Sequence, residues 1–370
     1  MLAKTLGISS VKFHKNFIED ILNGMIDWVR VIDNTGTVIY ANKHMKEAVG
    51  EQLIGSSCYY SLGRKCMCED CVAQKTIKTG ATNVKEEIVG DRIFSVISSP
   101  IKDIDGNIYA VVEVFRDITE DKKLKKQIIE KNNKINKDLE FARTIQKNML
   151  PDKGNFENVN IDYIYNPSED LGGDIFDIFK IDDNKIGMYI SDVVGHGIEA
   201  SMLTMFVRQM MRCGCKSSLT PSKALERLHK NFLELKLDYD KYVTIFFAIL
   251  DKKDGTLKYA NAGHNTFPIL FNEKDVKLLK TSGNLISPLF DKVEYEDNTI
   301  NISKGDKILF YTDGLIENRN NKGEEFGLNR LIDIIKKDSK NTIQNIEKEV
   351  NSFITNKRKD DLAVLLVEYM

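Results

Sequence analysis

Four acidic positions stand where apolar runs meet tight turns. In Leu171-Gly-Gly-Asp174, two glycines let the backbone turn closely before Asp174 opens a strand. Met188-Tyr-Ile-Ser-Asp192 is an apolar strand ending on an acid, and Val193-Val-Gly195-His-Gly197 then loops into a helix beginning near Ile198. Ile308-Leu-Phe-Tyr-Thr-Asp313-Gly314 repeats the pattern, and Lys359-Asp360-Asp361 precedes a terminal strand from Leu362 to Val367. Brought together, such carboxylates repel one another unless a cation neutralises them. An all-oxygen donor set suits hard divalent ions, Mg²⁺ or Mn²⁺. Two such ions about 3.5–4 Å apart activate water for in-line attack on phosphorus without a Ser or Cys nucleophile. A single Asp-Gly after a strand is ordinarily a turn, and spacing alone leaves the turn and the metal readings side by side.

A second constellation is sulfur. Four of the six cysteines, Cys58, Cys66, Cys68 and Cys71, fall in one short window. Four thiolates so close in sequence suit a tetrahedral Zn²⁺ or an iron–sulfur cluster. Arg64 and Lys65 beside them favour the thiolate form, which also suits a reversible redox switch. Inert cysteines are the third reading. Cys213 and Cys215, on or just after a Met-rich helix, are expected to be buried.

The elements that must position these groups fall into three segments. Trp28–Asp33 and Thr37–Tyr40 form a hairpin about Asn34-Thr-Gly36, with a helix from Asn42. Arg92–Ser99 and Ile108–Phe115 form a second hairpin, so that residues 17–119 make a small α+β domain with an antiparallel sheet, after a leader of residues 1–16. Residues 120–150 hold no Gly or Pro, and Ile128, Ile135, Ala142 and Met149 recur every seven residues, the pattern of a coiled-coil-like signalling helix. Lys125, Asn132 and Gln146 weaken that seam, and a solvated linker helix is the alternative. In residues 151–370, strands are expected at 161–166, 175–181, 185–192, 242–251, 256–260, 306–311 and 362–368. Helices are expected at 199–212, 221–235, 328–337 and 343–355. Together they describe an α/β sandwich flanked by helices.

Composition narrows the classes. The chain has 370 residues, room for two or three domains. Lys+Arg of 53 against Asp+Glu of 55 leaves a net charge of −2, with no basic excess for nucleic acid. No apolar run approaches the roughly 20 residues of a membrane span, and Met1–Lys15 lacks a signal-peptide core. The expected setting is cytoplasmic, where structural disulfides are rare.

Residues 141–370 closely resemble the SpoIIE/RsbU-type serine phosphatases of bacteria, within the metal-dependent PPM (type 2C) superfamily. The carriers are the run from Phe141 to Pro151, Gly172-Gly-Asp174, the run from Ser191 to Gly197, Asn261-Ala-Gly-His264, Tyr311-Thr-Asp-Gly314 and Asp360-Asp-Leu-Ala-Val-Leu365. The resemblance implies a catalytic and metal set of Asp174, Asp192, Asp313 and Asp360 holding two Mn²⁺ or Mg²⁺ ions. Asp192 would bridge the pair, the Val193 carbonyl would complete one shell, and Asp361 is a neighbour whose role is not separable from that of Asp360. It implies hydrolysis of phosphoserine or phosphothreonine on a protein, typically a STAS-fold anti-sigma-factor antagonist. His196 is either a general acid or an ordinary loop residue, and His264 is a turn and sheet-edge element rather than a ligand. Ala363 stands where Thr or Ser is common.

Residues 17–119 resemble a PAS sensor domain, through the run from Val31 to Asn42 and the exit Val114-Phe-Arg-Asp-Ile-Thr119. That implies a small-ligand, haem or flavin pocket, or dimerisation, so a homodimer through the PAS domain and linker helix is expected. His44 reads as a surface helix residue rather than a haem ligand. Other classes fit less well. A histidine kinase needs a phosphoacceptor His after the PAS domain, yet no His lies between His44 and His196. A diguanylate cyclase wants an acid where Ile175 stands. A catalytically inactive PPM fold used as a binding module remains a third alternative.

Overall fold

The computed structural model describes residues 10–215, 220–354 and 360–370, with side chains from Phe17 onward. Most of the leader, the last residue of the helix expected at 343–355 and Lys359 therefore lie outside the described residues. The chain divides into two compact units, 1–134 and 135–370.

The N-terminal unit begins with α1 (Ser10–Gly24), β1 (Trp28–Asp33), β2 (Val38–Ala41) and α2 (Lys43–Val49). It continues through α3 (Val72–Thr79), β3 (Asn83–Val89), β4 (Arg92–Lys102) and β5 (Ile108–Asp117). Its antiparallel sheet runs β2-β1-β5-β4-β3. The β1–β2 turn closes because Asp33 accepts from the backbone amides of Thr35 and Thr37, both at 2.9 Å. Asn42, expected as the first helical residue, is instead the cap of α2. Its Oδ1 accepts from Met45 N and from Val29 N, both at 3.1 Å, tying helix to sheet. The core joins Ile32, Met45, Phe94, Val111 and Phe115. The α4 helix (Thr119–Met149) then runs uninterrupted.

In the C-terminal unit, one antiparallel sheet is ordered β14-β11-β10-β9-β8 and the other β13-β12-β15-β16-β7-β6. The strands are β6 (Gly154–Phe156), β7 (Val159–Asn166), β8 (Asp174–Lys180), β9 (Lys185–Val193), β10 (Val243–Asp251) and β11 (Thr256–Ala262). The rest are β12 (Ile269–Phe271), β13 (Val276–Leu278), β14 (Asn298–Asn301), β15 (Lys307–Tyr311) and β16 (Leu362–Tyr369). Ile186, Met188 and Ile190 of β9 meet Phe310 of β15 and Leu365 of β16 between the sheets. The alternate face of β9 packs Tyr189 and Val193 beneath α5 (Ile198–Gly214) and α6 (Pro221–Leu233). On the outer side of the second sheet lie α8 (Leu328–Lys337) and α9 (Thr342–Phe353), after the short α7 (Asp313–Ile316). Both faces of the central strands are thus buried, which is why they read as continuous apolar runs. The strands absent from the sequence reading, β3, β6, β12, β13 and β14, are mostly short edge pieces with too few residues to show alternation. Cys213, expected in a core, is exposed, and Cys215 is half-buried. No described helix is long and apolar enough to cross a membrane.

Candidate active site

Asp174 opens β8 and Asp192 stands near the end of β9, directly opposite each other in the ladder. The second sheet supplies the rest. Asp313 follows β15 in the first turn of α7, and Asp360-Asp361 lead into β16, which pairs with β15. Two contacts join the sheets here. Thr312 Oγ1 donates to Asp174 Oδ2 at 2.7 Å, and Gly173 N donates to Asp361 Oδ2 at 2.5 Å. Asp361 also accepts from Ser168 N (2.7 Å) and Ser168 Oγ (2.9 Å), and Asp313 Oδ2 accepts from Asn265 Nδ2 at 2.8 Å.

Close backbone approach explains the glycines. A Cβ on Gly173 would lie 2.7 Å from the carbonyl oxygens of both Val193 and Gly195. A Cβ on Gly314 would meet the Asp361 carbonyl at 1.8 Å. Gly195 and Gly197 turn the loop after Asp192 with φ of +88° and +81°, a region that L side chains rarely adopt.

The electrostatics are those of charge without a counter-charge. Burial, then Asp192, pushes the Asp174 carboxyl well above the usual range, against the Thr312 hydroxyl, which pulls it down. Burial, then Asp313 and Asp360, pushes Asp192 up to about 7. Burial also raises Asp360, with Asp313 and Asp361 adding to it while the Asp361 amide opposes.

The donor chemistry fits a hard divalent cation. Asp174 is buried and Asp192 half-buried, both are acids pushed toward neutrality, and the loop carbonyls of Val193 and Gly195 converge where a side chain at residue 173 would stand. Among the described residues, however, no three acids, histidines or cysteines close around one centre. Asp361 and Asp313 are turned to protein donors instead, and Asp361 acts first as an anchor for the Ser168 and Gly173 amides.

Sequence reasoning missed Thr312, Asn265, Ser168 and Gln146. Polar residues next to motif positions were the only local signal for the first two. His196 is exposed and pairs with Glu169 at 3.0 Å. His264 is buried, lowered to about 4 by burial. Its ring is bonded to Thr244 Oγ1 (3.2 Å), Thr266 Oγ1 (2.8 Å) and Tyr311 O (3.2 Å), while Asn261 Oδ1 accepts from its amide at 2.8 Å. It is a turn element that ties the end of β11 to the end of β15.

The sulfur expectation is corrected. Cys58, Cys68 and Cys71 line one cavity of about 20 Å³ in the N-terminal unit, with Arg30, Glu87 and Glu113, but Cys66 is exposed and stands apart from it. Burial raises the Cys58 thiol, against the nearby Arg30 guanidinium, and Cys68 Sγ accepts from Arg64 at 3.1 Å. The cavity is water-sized and its charges are already paired. Glu113 bonds Arg30, and Glu87 bonds Arg64 and Lys85. Among the described residues the four cysteines do not converge on one centre, because the loop carries Cys58 into the core and Cys66 to the surface, so the structure lends no support to a Zn²⁺ or iron–sulfur site there.

Comparison with known proteins fits this geometry. Residues 182–370 match the family described as stage II sporulation protein E (SpoIIE), and residues 23–120 match a PAS domain. The phosphoserine phosphatase RsbP of Bacillus subtilis is 30% identical over 186 residues, covering 49% of this chain and 45% of RsbP. The phosphoserine phosphatase RsbU of the same organism is 28% identical over 204 residues, covering 54% and 60%. The chain thus spans about half the length of these curated relatives. Among solved structures, the SiaA-PP2C domain of Pseudomonas aeruginosa aligns with a TM-score of 0.56 at 19% identity, over 65% of this chain and 98% of that one. The RsbU and RsbW domains of a Mycobacterium tuberculosis protein align with a TM-score of 0.50 at 24% identity, over 59% and 62%. These likenesses establish a PP2C-like fold.

Proposed function

The chain belongs to the SpoIIE family, and from that premise we propose that it is a PAS-regulated, Mn²⁺- or Mg²⁺-dependent protein serine/threonine phosphatase. The observation that carries the reading is the facing pair of buried Asp174 and half-buried Asp192, with no cationic side chain among the described residues bonded to either. When bound, divalent ions supply charge neutralisation and an activated water for in-line attack on phosphorus. Asp192, the Val193 carbonyl, Asp313 and Asp360 would hold them. Asp174 is steadied by Thr312, and Asp361 fixes the Gly173 amide beside it.

The substrate in this reading is a phosphorylated protein, by kinship a STAS-type anti-sigma-factor antagonist, and the setting is the cytoplasm. A homodimer through the PAS domain and α4 fits the exposed stripe of Leu124, Ile128 and Ile135, each about half exposed on that helix. The test is phosphate release from a phosphoserine STAS protein by the full chain, with Mn²⁺ and with chelator. Metal-dependent release is expected. No release under either condition would leave the inactive binding module as the reading to pursue.

A further inference from the structure

One residue of α4 breaks the pattern of its helix. Gln146 is the single residue that α4 buries, at 2% exposure. Its side-chain amide makes paired bonds to one backbone unit. Nε2 donates to Gly172 O at 2.8 Å, and Gly172 N donates to Oε1 at 3.1 Å. Nε2 also lies 3.3 Å from Thr204 Oγ1 of α5. Three residues earlier on the helix, Arg143 Nε donates to Asp170 O at 3.0 Å, and its guanidinium pairs with the Asp170 carboxylate. The helix therefore grips the segment that leads into Asp174 at two points.

That segment is outside the ladder, since β8 begins only at Asp174. Its backbone groups need other partners, and an amide side chain offers one donor and one acceptor in the way a neighbouring strand would. The residues around it are the junctions of the site. Gly197 N donates to Leu171 O at 3.2 Å, Val193 N donates to Gly173 O at 3.1 Å, and Gly173 N donates to Asp361. Gly172 has no space to spare, because a Cβ there would lie 3.0 Å from both Asp361 Oδ2 and Tyr165 Oη.

We infer that Gln146 is a positioning residue for the phosphatase site. Its amide holds Gly172 in place, and through Gly173 this sets Asp174, Asp361 and the Val193–Gly197 loop relative to one another. The inference rests on the proposed phosphatase reading and adds the point at which α4 enters that site. Without the Gln146 amide, the Gly172 N–H and C=O lose these side-chain partners in a buried setting. The segment would then relax where the carboxylates must align.

The test uses the full chain with Gln146→Met, which keeps volume and removes both bonds, and Gln146→Glu, which keeps shape and the acceptor but loses the donor. If the Met variant fails to fold, the Glu variant carries the experiment. In the metal-free protein, hydrogen–deuterium exchange at the amides of 171–174 should rise about tenfold or more, with the melting transition retained. Mn²⁺ binding by isothermal titration should weaken about 10- to 100-fold, and kcat should fall more than KM rises. Unchanged exchange at 171–174 in the folded variants overturns the inference, as does wild-type Mn²⁺ affinity in both. If the wild type hydrolyses no phosphoprotein while exchange still separates the variants, the phosphatase reading fails and the positioning role stands.

Discussion

The two units bury charge in opposite ways. In the N-terminal unit, Arg30 and Glu113 are nearly inaccessible and bond each other at 2.7 and 2.8 Å, while Arg30 also donates to Cys58 O and Ser61 Oγ. In the C-terminal unit, Asp174 and Asp192 face each other and are forced upward in pKa. The contrast recurs within one strand. Asp177, three residues after Asp174 in β8, is fully buried yet bonded by Arg212 at 2.5 and 2.8 Å, with Arg208 at 3.4 Å. A buried charge with its partner in place holds elements together. A pair of acids without one is where the proposed divalent ions would supply the missing counter-charge.

The largest effect expected of this contrast is on activity. Asp192→Asn or Asp313→Asn should lower Mn²⁺-dependent phosphate release by about 10³-fold, since cation-assisted charge stabilisation is worth several kcal/mol. The melting temperature of the metal-free Asp192→Asn chain should hold or rise, because the substitution removes repulsion. A drop in melting temperature comparable to that of a core truncation would erase the distinction between the two kinds of buried acid.

Arg30→Met should do the reverse. Leaving Glu113 buried and unpartnered should cost about 3 kcal/mol in denaturant unfolding of the N-terminal unit, the lower end for a broken buried pair because Glu113 can take up a proton. Turnover of a small aryl phosphate should change little. Loss of less than about 0.5 kcal/mol would show that this pair does not organise its unit.

The smallest effect is a pH dependence. The folded-state pKa of Asp192 lies at about 7, above its unfolded value, so the metal-free fold binds the extra proton and loses stability as pH rises through 7. His264 acts oppositely. With its folded value lowered to about 4, it adds stability as pH rises from about 4 to its unfolded value near 6.5. Between about pH 6.5 and 8 the last of the His264 titration still opposes the Asp192 effect by roughly 0.4 kcal/mol, so the effect is read against Asp192→Asn, relative to which the metal-free chain should lose about 0.8 kcal/mol as pH rises. Mn²⁺ should stabilise the fold more at pH 8 than at pH 6.5. A flat metal-free profile, unaffected by Asp192→Asn, would break the assignment.

Much of this is legible in the sequence alone. The apolar runs of β8, β9, β10 and β16 announce themselves because both faces are buried, and acids beside glycines stand out at their ends. What each acid does was not legible. Asp360 and Asp361 are adjacent in sequence, yet Asp361 is spent on the amides of Ser168 and Gly173. Gln146 looked like a flaw in a heptad seam, and its burial makes sense only with Gly172 in view. The cysteine window shows the limit most plainly, since spacing in sequence says how near thiols are along the chain and not which way the loop turns them.

Strand and helix content, the glycine-bounded turns and the identity of the acids were thus properties of the sequence itself, because periodicity, capping and backbone freedom act over a few residues. The site was decided by tertiary structure alone. Thr312 reaches Asp174 across 138 residues and Gly173 reaches Asp361 across 188. Such pairs exist because two sheets pack face to face and bring their strand ends level, an outcome of shared burial that no local pattern encodes.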